Sequence, residues 1–464
     1  MNELSIIAAA REAPRRDCLV ANGRVWSYGE IAERVCAAIA ALRARGVRSG
    51  ERVALAPDVD LDSVLWIYAL FELGCPAVLL HPRTTERERQ AMIDRSRPAH
   101  LINGPVPANT PVATALAQES WGQIPEDRCL AVVFTSGTSG EPRGARLSRR
   151  AFIASEQAHA ANLGWQSRDR WMLCMPPAHV GGLSILTRCL IARRCAVLSP
   201  GPFEPSQVIE VMGREGVTLL SVVPTMLRRL LAADAPRWEP SADLRAVLVG
   251  GAPFPDGLRA ESVKRGIPAL ATYGCTEACS QVATQRPDQA GTPGCGAPLG
   301  AIEVRIERGE IQIRGDVLMD GYLEHESADS PFTPDRWFRT GDAGSFLPDG
   351  QLLVHGRIDD IIVTGGENVA PLEVEAWLET IPGIRSACVF AVPHEEWGEE
   401  VVAAIVSEPS QYDAGVLRDR LRRELAPYKR PKRMCVLKSM PLNRSGKIDR
   451  AEVARRCAEK LRPI

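Results

Sequence analysis

The sequence predicts an α/β protein: a large N-terminal domain of α/β subdomains with a small β-barrel-like unit, followed by a small α+β domain. Three observations carry that reading. Short Val/Ile/Leu runs closed by Gly, Pro or Asp alternate with longer helical patterns over most of the chain. From Ile302 the text changes to alternating apolar and charged residues, and after Gly356-Arg357 the pattern starts afresh. The 464 residues also exceed the roughly 250–300 at which a single core stops growing.

Taken in order, Leu130 to Phe134, Leu244 to Val249 and Ile267 to Thr272 are expected strands. Between Ile302 and Ile313, Arg308-Gly309 separates two short alternating runs, which predicts a hairpin in a smaller β unit. Beyond Arg357 the order reads strand, helix, two strands, helix, strand, with Val374, Trp377, Leu378 and Ile381 at helical spacing. The expected division is therefore residues 1–357 and 358–464.

Lys+Arg 56 against Asp+Glu 57 leaves a formal charge of -1, so no global field draws nucleic acid or an anionic membrane. The 13 cysteines include no CxxC pair, and several sit in apolar runs, as Cys174, Cys189, Cys195 and Cys388 do. Buried free thiols in a reducing compartment are expected, with neither a disulfide framework nor a zinc site. The first apolar run ends at Arg11, short of the signal-peptide core of about 7–15 residues. No stretch approaches the roughly 18 apolar residues of a spanning helix. A cytoplasmic location without membrane insertion is expected; a homo-oligomer is left open.

The expected strand ending at Phe134 runs directly into Thr135-Ser136-Gly137-Thr138-Ser139-Gly140-Glu141-Pro142-Arg143-Gly144. Glycines let backbone N–H groups approach an anion, hydroxyls add donors, and Arg143 supplies charge for phosphate oxygens. The P-loop pattern GxxxxGK[ST] does not occur here. Alone, such a loop also reads as a Gly/Ser-rich surface turn. Further motifs follow in one order: Thr272-Tyr273-Gly274-Cys275-Thr276-Glu277, Thr340-Gly341-Asp342, Gly356-Arg357-Ile358-Asp359-Asp360, and Pro441 through Arg450.

With Trp26-Ser27-Tyr28-Gly29-Glu30 near the start, these motifs make the chain resemble the adenylate-forming superfamily over essentially its whole length. That superfamily comprises acyl-CoA synthetases, nonribosomal-peptide adenylation domains and firefly luciferase. The resemblance implies ATP with Mg2+, a small carboxylic acid and coenzyme A as partners. It implies that Thr135, Ser136, Gly137, Thr138, Ser139, Gly140 and Arg143 close over the β- and γ-phosphates. Arg143 stands where lysine is usual, keeping the charge but adding a forked geometry. Gly250, Gly251 and Ala252 match the segment against adenine, with Thr272, Tyr273 and Gly274 opposite and the Tyr273 ring stacked on the base. Thr276 matches a hydroxyl donor near the α-phosphate and acyl carboxylate. Glu277 matches the Mg2+ carboxylate, one being enough when phosphates complete the shell. Asp342, supported by Arg357, matches the ribose acceptor, two oxygens suiting a vicinal diol.

Lys447 matches the C-terminal lysine that stabilises charge as the acid attacks the α-phosphate. By the same resemblance, Asp359 is the hinge about which the small domain rotates. Rotation then brings Gly365 and Gly366 to the thiol tunnel; the plain alternative is a turn ahead of the helix at Pro371. His179 and Gly182, in Pro176-Pro177-Ala178-His179-Val180-Gly181-Gly182, match the acyl-pocket segment, a neutral core histidine being the alternative. Within the superfamily the segment Pro176 to Leu190 is most similar to the o-succinylbenzoate–CoA ligases of menaquinone biosynthesis. An arginine occurs there too, so Arg188 is expected to hold a second carboxylate; otherwise it pairs with an internal carboxylate or lies exposed at a helix end. Other aryl- or fatty-acyl-CoA synthetases, a carrier-loading adenylation enzyme and a silent nucleotide-binding homologue stay open.

Overall fold

The computed structural model describes residues 4–107, 124–136, 142–199, 201–233, 238–323, 330–407, 414–444 and 446–464. Trp26-Ser27-Tyr28-Gly29-Glu30 proves to be a helix start. The Ser27 hydroxyl accepts from the Glu30 N–H while the Glu30 carboxylate accepts from the Ser27 N–H, a capping box opening the helix Tyr28–Ala44. Tyr28 is fully buried, and its hydroxyl is shared between the carbonyls of Cys189 (3.0 Å) and Arg194 (2.9 Å). That bond pins this helix to the later helix Val180–Ala192.

An eight-stranded sheet runs Ala283–Thr284, Ala269–Tyr273, Ala246–Val249, Leu219–Val222, Arg170–Leu173, Cys195–Leu198, Asp17–Ala21, Arg24–Ser27. The strands between its two edges are parallel, and runs such as Ala246–Val249 and Cys195–Leu198 are buried throughout, as helix-covered parallel strands require. Leu244, expected as the start of a strand, instead closes a turn through its N–H to the Ser241 carbonyl. A six-stranded sheet runs Gly321–Tyr322, Pro142–Ser148, Cys129–Ser136, Ala77–Leu79, Val53–Leu55, His100–Ile102, antiparallel at the first two positions and parallel after them. The chain leaves Ala246–Val249 into Gly250-Gly251 and Ala269–Tyr273 into Gly274. Both loops therefore share the carboxyl edge of a parallel sheet, where α/β proteins place ligands.

The expected hairpin pairs Glu303–Glu307 with Glu310–Arg314 across Arg308 (φ 52°) and Gly309 (φ 81°), both left-handed as a tight hairpin requires. With Phe338–Phe346 and Leu352–Arg357 it makes a four-stranded antiparallel sheet, the form taken by the small β unit. From Ile362 onward the apolar residues build cores of their own. Alternate residues of Gly398–Ser407 feed opposite faces: Val401, Ala403 and Ile405 meet Val374, Leu378, Leu417 and Leu421, while Val402 and Ala404 meet Val453 and Cys457. The helix Pro371–Leu378 stops short of Ile381 because Pro382 disfavours helical backbone before it, although Ile381 stays buried. Among the described residues no helix is long and apolar enough to cross a membrane. All 13 cysteines are free.

Candidate active site

The carboxyl ends of two neighbouring strands frame the candidate cleft, and side chains are excluded where they meet. At Gly250 a Cβ would lie 2.6 Å from Thr272 Cγ2 and 2.9 Å from the Thr272 carbonyl oxygen, so only glycine lets the two strand ends meet. Gly251 follows with φ 77°, and Ala252 beyond it is half-buried. Gly274 is tighter still: a Cβ would come 1.6 Å from the Ser280 carbonyl oxygen, because the 3-10 turn Thr276–Ala278 folds the chain back onto the strand. The Thr272 hydroxyl is committed to the edge strand, 3.0 Å from the Ala283 carbonyl and 2.7 Å from Thr284 Oγ1.

Tyr273 is 9% exposed and donates its hydroxyl to Asp342 Oδ2 at 2.6 Å. Asp342 and Arg357 are registered opposite one another on adjacent strands. Arg357 Nη1 donates to Asp342 Oδ1 (3.1 Å) and to the Thr340 carbonyl (2.6 Å). The guanidinium lies over Gly341 (φ 71°), where a Cβ would come within 2.6 Å of Nη2. Three distant motifs thus converge on one carboxylate whose orientation is fixed from both oxygens.

Lys447 reaches the same cleft from the C-terminal region. Asn443 frames its turn, donating its N–H to the Lys447 carbonyl (2.7 Å) and accepting the Lys447 N–H on Oδ1 (3.1 Å). The Thr225 hydroxyl donates to the Gly446 carbonyl at 2.5 Å, and Arg444 pairs with Glu88, docking the turn on the N-terminal region. The lysine stem passes Gly251, where a Cβ would lie 3.3 Å from Lys447 Cε and 3.8 Å from Nζ. Burial lowers the ammonium's pKa, opposed by the charges of Asp342 and Glu277.

Glu277 is half-buried beside Thr276 in the 3-10 turn, and its Oε1 accepts from the Tyr322 hydroxyl at 2.7 Å. Among the described residues it pairs with no cation. A carboxylate with one oxygen uncommitted fits a divalent ion that takes its other ligands from phosphates and water. No group of three or more metal-ligating side chains occurs among the described residues. Arg143 lays its guanidinium on the Tyr322 ring, 3.7 Å from the centroid. Thr135 and Ser136 pair with Arg143 and Pro142, and Thr135 Oγ1 donates to the Arg143 carbonyl at 3.4 Å. Gly137, Thr138, Ser139 and Gly140 lie outside the described residues.

On the acyl side, His179 begins the helix Val180–Ala192, and its ring stands 4.7 Å from that of His81. Both Nε2 atoms are buried without a hydrogen-bond partner among the described residues. Burial lowers the two pKa values, to about 3 for His179 and about 4 for His81, so both rings are neutral near pH 7. His81 stands in Leu80-His81-Pro82, where no pattern marks it. Gly182 is a packing glycine: a Cβ would lie 2.6 Å from the Pro176 carbonyl oxygen, so its absence seats the helix on the segment that carries His179.

Arg188 is 2% exposed, which excludes the helix-end reading. Its Nη1 donates to Gln281 Oε1 (2.6 Å) and its Nη2 to Ser155 Oγ (2.8 Å), both neutral, while Nε is buried with no hydrogen-bond partner among the described residues. Among the described residues it makes no ion pair, although the charge of the buried Glu156 acts on it. Burial lowers its pKa to about 10, leaving it charged at neutral pH. Gln281 also donates to the hydroxyls of Thr272 (3.3 Å) and Thr284 (3.1 Å). This link to the nucleotide strand has no sequence signal. Asp359 is exposed and 3.4 Å from Arg357 Nη2. Gly365 (φ 58°) and Gly366 (φ 84°) form an exposed hairpin turn, with the Gly365 N–H on the Trp397 carbonyl at 2.9 Å.

Residues 7–323 match the AMP-binding enzyme family, and residues 373–447 match the AMP-binding enzyme C-terminal domain. A 2-succinylbenzoate–CoA ligase of Bacillus licheniformis is 34% identical, over 88% of this chain and 90% of its own. The o-succinylbenzoate CoA synthetase of Bacillus subtilis, in complex with the acyl-adenylate intermediate OSB-AMP, superimposes with a TM-score of 0.86 at 30% identity, covering 97% of each chain. The same enzyme with ATP and magnesium ion gives 0.85 at 30% identity, over 96% of this chain and 98% of that one. The chain belongs to the AMP-binding enzyme family of adenylate-forming proteins.

Proposed function

We propose that this protein is an ATP-dependent acid–thiol ligase that converts o-succinylbenzoate to its coenzyme A thioester through an acyl-adenylate. The observation that carries the chemistry is Lys447 lying against Gly251 within electrostatic reach of Asp342 and Glu277. A carboxylate oxygen of the acid attacks the α-phosphorus of ATP; a P–O bond forms and the bond to the β-phosphate oxygen breaks, releasing pyrophosphate. Negative charge spreads over oxygens in a water-poor cleft, and a positioned ammonium lowers that barrier. Asp342 and Arg357 hold the ribose, Gly250 through Ala252 and Tyr273 the adenine, and Thr276 donates near the α-phosphate. Glu277 would hold Mg2+, which would screen the phosphate charge.

In the second step the thiol sulfur attacks the acyl carbonyl and AMP leaves, with the thiol proton passing to solvent. Lys447 occupies the approach, so residues 358–464 turn as a body about Asp359 and present Gly365 and Gly366 to the thiol. The turn's exposure and the docking of Arg444 and Gly446 support reading the described arrangement as the adenylating one. The choice of acid rests on Arg188, a buried cation whose hydrogen-bond partners are neutral, together with the curated relatives. A cytoplasmic setting fits the free thiols. The test is pyrophosphate release and coenzyme A consumption across o-succinylbenzoate, benzoate and medium-chain fatty acids. Turnover confined to the first supports the reading; turnover of a monocarboxylate alone replaces the substrate; none with any acid and ATP overturns the ligase assignment.

A further inference from the structure

We propose that Tyr322 is a positioning residue for the adenylation step, holding the Glu277 carboxylate with its hydroxyl and the Arg143 guanidinium on its ring face. The proposal rests on the assignment of Mg2+ to Glu277 above. Residues 319–323 are fastened on both sides. The Met319 N–H donates to the Glu277 carbonyl (2.8 Å), the Leu323 N–H donates to the Gly144 carbonyl (2.9 Å), and Gly321 and Tyr322 pair with Arg146 and Ala145. There is little slack, since a Cβ on Gly144 would lie 2.6 Å from Leu323 Cδ1. One short strand therefore ties the metal-bearing turn to the strand leaving the phosphate loop.

Each contact has a chemical consequence. The hydroxyl at 2.7 Å uses one lone pair of Glu277 Oε1 and sets the carboxylate's rotation, leaving Oε2 for an ion. Arg143 is exposed, and among the described residues its side chain makes no hydrogen bond or ion pair. The ring 3.7 Å away is what fixes the charge before ATP arrives. A planar guanidinium stacks in this way, whereas a lysine ammonium does not, so the ring suits the arginine this chain carries.

The test is ATP–pyrophosphate exchange titrated with Mg2+ for the wild type, Tyr322→Phe and Tyr322→Leu, with melting temperatures alongside. Tyr322→Phe keeps the ring and should raise the Mg2+ concentration for half-maximal exchange about fivefold, with KM for ATP at saturating Mg2+ nearly unchanged. Tyr322→Leu should also raise KM for ATP about tenfold. Thioester formation from supplied acyl-AMP should be unaffected in both. Arg143→Lys provides a second arm: its penalty should appear with Tyr322 present and vanish in the Tyr322→Leu background. Wild-type Mg2+ dependence in Tyr322→Phe, equal loss in both half-reactions, or additive penalties in the cycle would overturn the proposal. Mg2+-independent exchange by the wild type would instead overturn the metal assignment beneath it.

Discussion

Arg188→Ala removes a guanidinium that is 2% exposed and bonded to Gln281 at 2.6 Å and Ser155 at 2.8 Å. If the guanidinium holds the second carboxylate of o-succinylbenzoate, directly or through a bridging group, the variant loses a charge-assisted hydrogen bond in a dry site. Such a bond is worth roughly 1.5–3 kcal/mol, so kcat/KM for o-succinylbenzoate should fall on the order of 10²-fold. Stability should respond much less. Truncating one partner of a buried ion pair costs about 3–5 kcal/mol, but here no direct ion pair is broken and an expensive buried charge is removed. The assay is steady-state kinetics with varied acid, then varied ATP, beside thermal denaturation. Gln281 supplies the discriminating control, since it joins Arg188 to Thr272. An arginine that merely braced the nucleotide strand would raise KM for ATP and slow every acid equally. That outcome, or a large loss of stability with unchanged preference between mono- and dicarboxylates, would refute the substrate reasoning while leaving the nucleotide site intact.

Lys447→Ala should nearly abolish acyl-AMP formation yet spare thioester formation from supplied acyl-AMP, and equal loss in both would end the division of labour. Because burial lowers the Lys447 pKa, the ammonium proposed to assist adenylation is lost as pH rises, starting below the ordinary lysine range. Acyl-AMP formation should therefore carry an alkaline limb that the thioester step lacks; a shared limb would count against it. Asp359→Pro, which fixes φ near -65°, should let pyrophosphate release persist while thioester formation stops, and normal rates for both would move the hinge elsewhere. Gly274→Ala places a Cβ 1.6 Å from the Ser280 carbonyl oxygen, so melting temperature and exchange activity should both drop sharply. Wild-type values would mean that the Thr276–Ala278 turn is looser than its packing indicates.

Much of the site was legible before any coordinates because its residues act through local grammar. Glycines at Gly250 and Gly274 stand where a strand end meets another backbone, and the sequence marks them by putting no side chain there. The strands beside them declare themselves by short apolar runs, and the family resemblance supplied the roles proposed for Asp342, Glu277 and Lys447. Local pattern was less reliable at element ends. Leu244 reads as strand yet belongs to a turn, and Ile381 keeps helical spacing beyond a helix that Pro382 has already ended.

Other features depended on contacts between residues far apart in the chain, which no local pattern encodes. Tyr322 lies 45 positions from Glu277, and Arg188 lies 93 from Gln281; each meets its partner only because sheet order and helix packing bring their segments together. His81 has no flanking motif, and its importance comes from a ring 4.7 Å away on another element. The amino-acid sequence by itself determined the α/β class, the strand-end glycines and the residue types available for the chemistry. Tertiary structure decided which charges are desolvated, which stay without a counter-ion and where Lys447 points, because those properties depend on everything that surrounds a group in space.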